Sequence, residues 1–375
     1  MKLCYLLHGR FPSERAHSTQ IVKMCNALAS HGVDVTLAVS DRATHIKETA
    51  EEYYGEPFHF AVQRVPVFDT VSRGSRWPRV FHRPLFFLEQ LSYFWHLTGL
   101  RQFDVIYGRE PTLLYLIGRR VGFDRVVYES HDANTSFFAR RLLAQGVKTV
   151  VISEGIRDAY RALGVPDAQL LVAHDAIDES FFEPAEDPQA ARKRLGITSD
   201  RPFAMYIGGF DAWKGVETFL AAAVHVPEVH FVAVGGSATA VTRFQEQYPQ
   251  VQFLGSRPYR ELRDNQQAAD VLVVPNTAKN DLSAKYTSPL KVFAHLASGV
   301  PLVCTDIPSL RNAVPRDAAF WCASDDPSAL AAAVRSALAR PAEARTRTTR
   351  AREVAHAHTW SKRARAITEF ISLRG

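Results

Sequence analysis

The run Thr287-Ser288-Pro289-Leu290-Lys291 has the residue types, in the order, that hold an anion at the start of a helix. Ser288 is suited to cap a helix and Pro289 to its first position. Leu290, Phe293, Leu296 and Ala297 repeat at helical spacing and give that helix an apolar face. Lys291 then falls in the first turn, where the helix dipole is already positive. A cation there is unfavourable unless an anion binds, and free backbone N–H groups beside an ammonium make a phosphate site. The plain alternative is a solvated lysine on an ordinary helix.

A second place repeats the pattern. Gly208-Gly209-Phe210 follows an apolar run, and Trp213-Lys214-Gly215 reads as the opening of a helix. The glycines let backbone approach a ligand closely, and Lys214 meets the same electrostatic argument as Lys291. Together the two lysines predict a diphosphate gripped from two loops. Gly235-Gly236-Ser237 and Gly255-Ser256-Arg257 are two more glycine-bearing strand ends, and Ser256 and Arg257 are placed to meet a nucleobase.

In the first half, the polar loop from His8 to Gln20 is long for a strand-to-helix connection. Gly9, Arg10, His17, Ser18 and Gln20 are its candidates for an acceptor's hydroxyl groups. Alternatively, Ser18 simply caps the next helix and His17 is solvated. Arg109 ends another strand and suits an anion or carboxylate, or a salt bridge to Glu110 or a neighbour. His131, at the end of a buried strand, can touch a hydroxyl or act as acid or base; a structural histidine is the alternative. No GxGxxG is present, which argues against a dinucleotide enzyme.

The elements that must position these residues alternate. Strands are expected at 2–8, 33–40, 59–67, 103–107, 125–130 and 148–152, with a helix at 17–31. The pattern resumes at 203–208, 229–235, 251–254, 271–275 and 301–305, with helices at 215–224 and after Ser288. Short apolar strands separated by helices mean parallel sheets covered on both faces. The expected fold is α/β: two doubly wound Rossmann-like domains facing each other across a cleft. The first covers 1–178 and the second 179–358, with the hinge near 176–184. Ligands of such sheets bind beyond the carboxyl ends of the strands.

At 375 residues the chain has room for two such domains. Its 46% hydrophobic and 22% charged residues are those of a soluble globular protein. The net charge of +6 is spread out and fits acidic ligands or an anionic membrane surface. No nucleic-acid module is recognisable. Cys4, Cys25, Cys304 and Cys322 are far apart and without a CxxC pair, so no disulfide, no metal site and a reducing, cytoplasmic setting are expected. No stretch reaches membrane-spanning length without charges. Residues 73–102 mix Arg and His with Trp, Phe and Leu, which suits either peripheral membrane contact or two packed helices with solvated arginines.

The chain resembles the GT-B retaining glycosyltransferases of family GT4, the group 1 glycosyl transferases. The resemblance is carried by SPLKVFAHLASGVPLVCTDIPSLRNAV (Ser288–Val314), and by Tyr206-Ile207-Gly208 through Trp213-Lys214-Gly215. It extends to Ala269-Asp270-Val271 through Pro275, YESHD (Tyr128–Asp132), VVISEGIRDAY (Val150–Tyr160) and HTWSKRA (His358–Ala364). It implies transfer of a sugar from a nucleotide sugar, most readily a UDP- or GDP-sugar, to a glycan, lipid-linked or small-molecule hydroxyl, with retention and without metal or resident cofactor. It implies a C-terminal helix, 359–375, crossing back onto the first domain. Residue by residue, Gly208, Gly209 and Lys214 with Ser288, Pro289, Leu290 and Lys291 would hold the diphosphate. His131 would meet the donor sugar, and Gly235, Ser256 and Arg257 the base and ribose.

One departure matters. The family motif has two acids eight residues apart, and here those positions are Tyr286 and Ala294. The second acid normally accepts hydrogen bonds from the ribose, and its loss is worth about 1.5–3 kcal/mol of binding. Either a glutamate has been replaced by Ala294 to trap a complex, the preferred explanation because the surrounding helix is intact, or donor binding is weak or altered. Two rival functions follow: a nucleotide-sugar-binding protein without turnover, and a GT-B-like sugar-nucleotide epimerase. A phosphorylase of this fold would be much longer and would bear a cofactor lysine. In many members an arginine sits beside the glycine equivalent to 208; Gly209 stands there, which shifts the burden to Lys214.

Overall fold

The computed structural model describes residues 1–69, 82–183, 186–288 and 290–372. Residues 73–81 of the aromatic and basic stretch, and Pro289 of the proposed anion site, therefore lie outside the described residues, as do the last residues of the terminal segment. The chain forms two compact units. The first is Met1–Ile152, Ile156–Ala173 and Trp360–Gly375; the second is Ser153–Gly155 and His174–Thr359. The first main crossing, at 173/174, precedes the stretch 176–184. Residues of that stretch are tied into the second unit: Ile177 N–H donates to His358 O at 3.0 Å, and Phe181 is in its core.

The first unit is built on seven parallel strands: β1 (Lys2–Leu7), β2 (Asp34–Asp41), β3 (Ala61–Pro66), β4 (Val105–Gly108), β5 (Val126–Ser130), β6 (Lys148–Val151) and β7 (Leu170–Val172). Their order is β3-β2-β1-β4-β5-β6-β7. β5 is buried at every position, as expected of a strand covered on both faces. The helix Ala16–Ser30 packs against the terminal helix Trp360–Ser372, so the end of the chain completes this unit.

The second unit has six parallel strands: β8 (Phe203–Ile207), β9 (His230–Val234), β10 (Val251–Gly255), β11 (Val271–Val274), β12 (Leu302–Thr305) and β13 (Phe320–Cys322), ordered β10-β9-β8-β11-β12-β13. Alternate strand residues feed two cores. Met205, Val232, Leu272 and Val274 join one with Val292, Phe293 and Leu296; Ala204, Tyr206, Val271 and Val273 join the other with Phe219 and Leu220. This is the period of two that a pleated strand imposes. Strand order reverses between β1 and β4 in the first unit and between β8 and β11 in the second, which marks the loops after those strands for ligand binding.

The helix His82–His96 departs from ordinary amphipathic order. Glu89, Gln90, Ser92 and Tyr93 are buried, while Phe86, Phe87, Leu88 and Trp95 are exposed, Trp95 at 74%. Arg42 ties this helix down by an ion pair to Glu89 at 2.6 Å and also reaches His8 Nε2 at 3.1 Å. Among the described residues no helix is long and apolar enough to cross a membrane. All four cysteines are buried thiols.

Candidate active site

The glycine turns of the second unit are locked together. Gly208 N–H donates to Val234 O at 2.9 Å and Gly235 N–H to Gly255 O at 2.7 Å. Gly235 has a φ of +118°, and a Cβ there would lie 2.0 Å from Gly208 O, so only glycine fits. Ser256 and Arg257 stand exposed at the rim beyond β10. Tyr206 closes the first turn from below, its hydroxyl donating to Gly209 O at 2.7 Å.

Both lysines reach this turn. The Lys291 Nζ lies 3.5 Å, and the Lys214 Nζ 2.7 Å, from where a Cβ on Gly208 and Gly209 respectively would stand. Lys291 comes from the first turn of the helix Leu290–Ala297, as the spacing predicts. Its stem is partly exposed, but its Nζ is buried, 4.4 Å from the Tyr206 ring centre, with no hydrogen-bond acceptor among the described residues. Burial, then the neighbouring charge of Lys214, pushes Lys291 down to about 7. A desolvated ammonium beside a second cation is stabilised when an anion binds to it.

Three expectations need correction here. Lys214 does not open a helix: it ends the turn Ala212–Lys214, Gly215 breaks the chain direction with a φ of +69°, and the helix runs Val216–Ala222. A Cβ at Gly215 would stand 1.8 Å from Pro275 O, so only glycine fits there. Lys214 therefore stands just before the N-cap, Gly215, rather than in a first helical turn, and it is paired with Asp211 at 2.7 Å. Ser288 is buried, and its hydroxyl accepts from Asp175 N–H at 3.1 Å, an engagement that sequence spacing does not reveal. Ala294 is fully enclosed in the core beside Val292 and Phe293 and offers no polar group to a ribose. Leu290 begins the helix and is half-buried.

In the first unit, residues of β1 and β4, those just after β4 and β5, and the terminal helix converge on Glu129, the one acid of a strand otherwise made of Val126, Val127, Tyr128 and Ser130. Its Oε1 accepts a hydrogen bond from His131 Nε2 at 2.6 Å and is ion-paired with Arg109 Nη2 at 2.9 Å and Arg363 Nη2 at 3.3 Å. Its Oε2 receives the hydroxyls of Tyr107 and, at 3.5 Å, Tyr5. Burial pushes this carboxyl up, but Arg363 and Arg109 outweigh it and hold it well below the ordinary carboxylate range. Burial, then Arg109, pushes His131 down to about 4. The ring is therefore neutral at pH 7. Its Nε2 carries the proton given to Glu129, and its Nδ1 presents a lone pair.

Arg109 is thus a carboxylate partner, of Glu129 rather than Glu110, and it also donates to Gln20 Oε1 at 3.2 Å. Glu110 accepts instead from Gln90 at 3.1 Å. Gln20 is buried, and so is Ser18, inside a helix whose N-cap residue is Arg15. His17 is half-buried rather than solvated; burial, then Arg109, pushes it down to about 4. Gly9 and Arg10 are half-buried at the start of the loop. Sequence reasoning missed Tyr5, Tyr107, Tyr206, Glu129 and Arg363. A carboxylate in a buried strand was the available signal for Glu129.

Comparisons with known proteins bear on these sites. Residues 17–181 match the family model described as Glycosyltransferase Family 4, and residues 201–340 that described as Glycosyl transferases group 1. A D-inositol 3-phosphate glycosyltransferase of Geodermatophilus obscurus is 29% identical over 59% of this chain and 48% of its own length. A putative teichuronic acid biosynthesis glycosyltransferase, TuaC of Bacillus subtilis, is 25% identical over 50% of this chain and 45% of its own. The chain thus spans about half the length of the curated relatives it matches. Sucrose-phosphate synthase of Thermosynechococcus elongatus superposes with a TM-score of 0.75 at 20% identity, covering 98% of both chains. Anabaena Alr3699/HepE, solved in complex with UDP, gives 0.74 at 16% identity, covering 99% of this chain and 100% of that one. These likenesses establish the fold, which is GT-B.

Proposed function

The chain belongs to the family 4 glycosyltransferases, and on that premise we propose that it is a retaining, metal-independent enzyme that moves a sugar from a nucleoside-diphosphate sugar to a hydroxyl acceptor. The observation that carries this reading is the meeting of Lys214 and Lys291 at the Gly208–Gly209 turn, with the Lys291 Nζ buried and unpaired among the described residues. A diphosphate supplies the opposing negative charge. Lys291 donates to it directly, Lys214 exchanges Asp211 for it, and the N-terminus of the helix Leu290–Ala297 adds its dipole.

In the reaction, the bond between the anomeric carbon and the diphosphate oxygen breaks. The acceptor oxygen bonds to that carbon on the same face. The acceptor's proton passes to the departing phosphate oxygen, so no dedicated base is required. The two lysines stabilise the charge that develops on the leaving group. His131 accepts a hydrogen bond from a donor-sugar hydroxyl at Nδ1. Gly235, Ser256 and Arg257 meet the base, with UDP- and GDP-sugars the first candidates, and the loop from Gly9 to Gln20 faces the acceptor. Exposed Phe86, Phe87, Leu88 and Trp95, with Arg141 stacked on exposed Phe137, suit peripheral contact with an anionic membrane and a lipid-linked acceptor.

A thermal-shift screen of UDP-, GDP- and ADP-sugars tests the reading. One responder is expected, and the matching nucleoside diphosphate should accumulate only when acceptor is supplied. A chain that responds to none of them is not a transferase of this kind. A second reading, a nucleotide-sugar-binding protein without turnover, is favoured by Ala294, which leaves the ribose without a carboxylate. Ala294→Glu separates the two: tighter donor binding with sugar transfer supports the enzyme, and binding without transfer supports the alternative.

A further inference from the structure

Glu129 is 0% exposed, and a carboxylate at such a place is sustained only by charged and hydrogen-bonding partners. Two of those partners, Arg109 and Tyr107, lie at the end of the neighbouring strand β4. A third, His131, follows two residues later in the chain. The second cation comes from far away in sequence. Arg363 belongs to the terminal helix Trp360–Ser372, and its side chain is 3% exposed. It is fixed by more than Glu129: its Nε donates to Ala173 O at 3.4 Å, and its Nη1 lies 3.0 Å from Met24 Sδ.

The N–H donor on Oε1, His131 Nε2, and the two guanidinium charges paired with it form one system. While Glu129 is a carboxylate it can only accept, so the proton of the neutral His131 ring must sit on Nε2. Were Glu129 protonated, its hydroxyl would donate to Nε2 and the ring proton would move to Nδ1. Arg109 alone does not secure the ionised form, because it is partly exposed and shared with Gln20. The groups facing this system include Arg109, Arg363, Tyr5, Tyr107 and, near Glu129, Cys25.

We propose that Arg363 is a positioning residue: its guanidinium holds the Glu129 carboxylate that decides which ring nitrogen of His131 carries the proton. This rests on the transferase reading only where turnover is measured. The tautomer itself can be read without any substrate.

The experiment uses the full chain labelled with ¹⁵N-histidine, with His131→Gln assigning the His131 signals. In the unaltered protein at pH 7, the His131 signals should report a protonated Nε2 and an unprotonated Nδ1. In Arg363→Gln, the Nδ1–H form should rise to a substantial fraction. Arg363→Lys, which keeps a cation, should restore the original pattern. Affinity for the sugar-free nucleoside diphosphate should stay within about twofold, because Lys214 and Lys291 are unaltered, while kcat with the nucleotide sugar falls about tenfold, the scale of one lost hydrogen bond to a reacting sugar. Should Arg363→Gln fold poorly, Arg363→Lys and Arg363→Met are compared at a temperature where circular dichroism shows both folded. An unchanged His131 tautomer in a folded Arg363→Gln or Arg363→Met protein overturns the proposal. If the tautomer shifts as expected but no nucleotide sugar is bound by any form, the transferase reading fails and the positioning role stands.

Discussion

Lys291 lays its ammonium 4.4 Å from the ring centre of Tyr206, although the two residues belong to opposite faces of the second sheet. The helix of Lys291 packs into one core and the Tyr206 ring into the other. The lysine stem must therefore pass over the carboxyl end of the sheet, where the ring face meets the cation and the ring hydroxyl holds the Gly208–Gly209 turn. Cation–π attraction offsets part of the desolvation of Nζ and keeps it aimed at the turn.

Lys291→Met should weaken nucleoside-diphosphate binding by about ten- to a hundredfold, the worth of one or two charge-assisted hydrogen bonds. The ligand-free protein should melt at the same temperature or higher, since a buried unpaired cation is replaced by an apolar group of similar length. Calorimetric titration and melting together check this. A large fall in melting temperature with unaltered affinity would assign Lys291 a structural role instead.

The protonation of Lys291 gives the ligand-free protein a pH signature. Its folded value, about 7, lies below the ordinary lysine value, so between pH 7 and pH 10.5 the unfolded chain binds more protons than the folded one. Stability contributed at this position is lowest below pH 7 and recovers as pH rises through that window. Donor binding has the opposite sign, because a diphosphate favours the ammonium. Above pH 7 binding should take up a proton, and affinity should fall by at most about tenfold per pH unit. Titrations in two buffers of different ionisation enthalpy at pH 8 read the proton directly.

Glu129→Gln should destabilise the first unit by about 3–5 kcal/mol, because the buried guanidinium of Arg363 and that of Arg109 lose the carboxylate they share. Chemical denaturation measures the loss. The double variant Glu129→Gln with Arg363→Met should recover a large part of it, and an additive double variant would show that the two side chains are not coupled.

The exposed aromatic residues of the helix His82–His96 predict a surface effect without a folding effect. Leu88→Ser together with Trp95→Gln should change stability by no more than about 0.5 kcal/mol per site. The same pair should abolish salt-sensitive binding to vesicles rich in anionic lipid. Flotation of the protein with such vesicles at two salt concentrations decides the matter. Equal binding by both proteins would remove this face from the account.

The alternation of strands and helices is legible because each buried parallel strand is a continuous apolar run, as in Val271–Val274. β7 and β13 escape notice because each is three residues long. Lys291 is legible as a cation in a first helical turn, since that depends on neighbours in sequence. Its burial over Tyr206 is not, because a residue in β8 provides it. The same holds for Gly215 beside Lys214, which must be glycine because Pro275 O, from a distant strand end, lies where a Cβ would stand. Glu129 is visible as an anomaly in its strand, but its second cation arrives more than two hundred residues later, through the packing of the terminal helix.

That arrangement imposes an order on biosynthesis. Residues 360–372 emerge from the ribosome only after all of the second unit has been made, so the first unit waits one helix short, with Glu129 holding Arg109 but lacking its second counter-charge. Domains usually mature from the N-terminus onward during synthesis. Here the lobe translated first is the one finished last, and its buried charge network closes as the final helix docks.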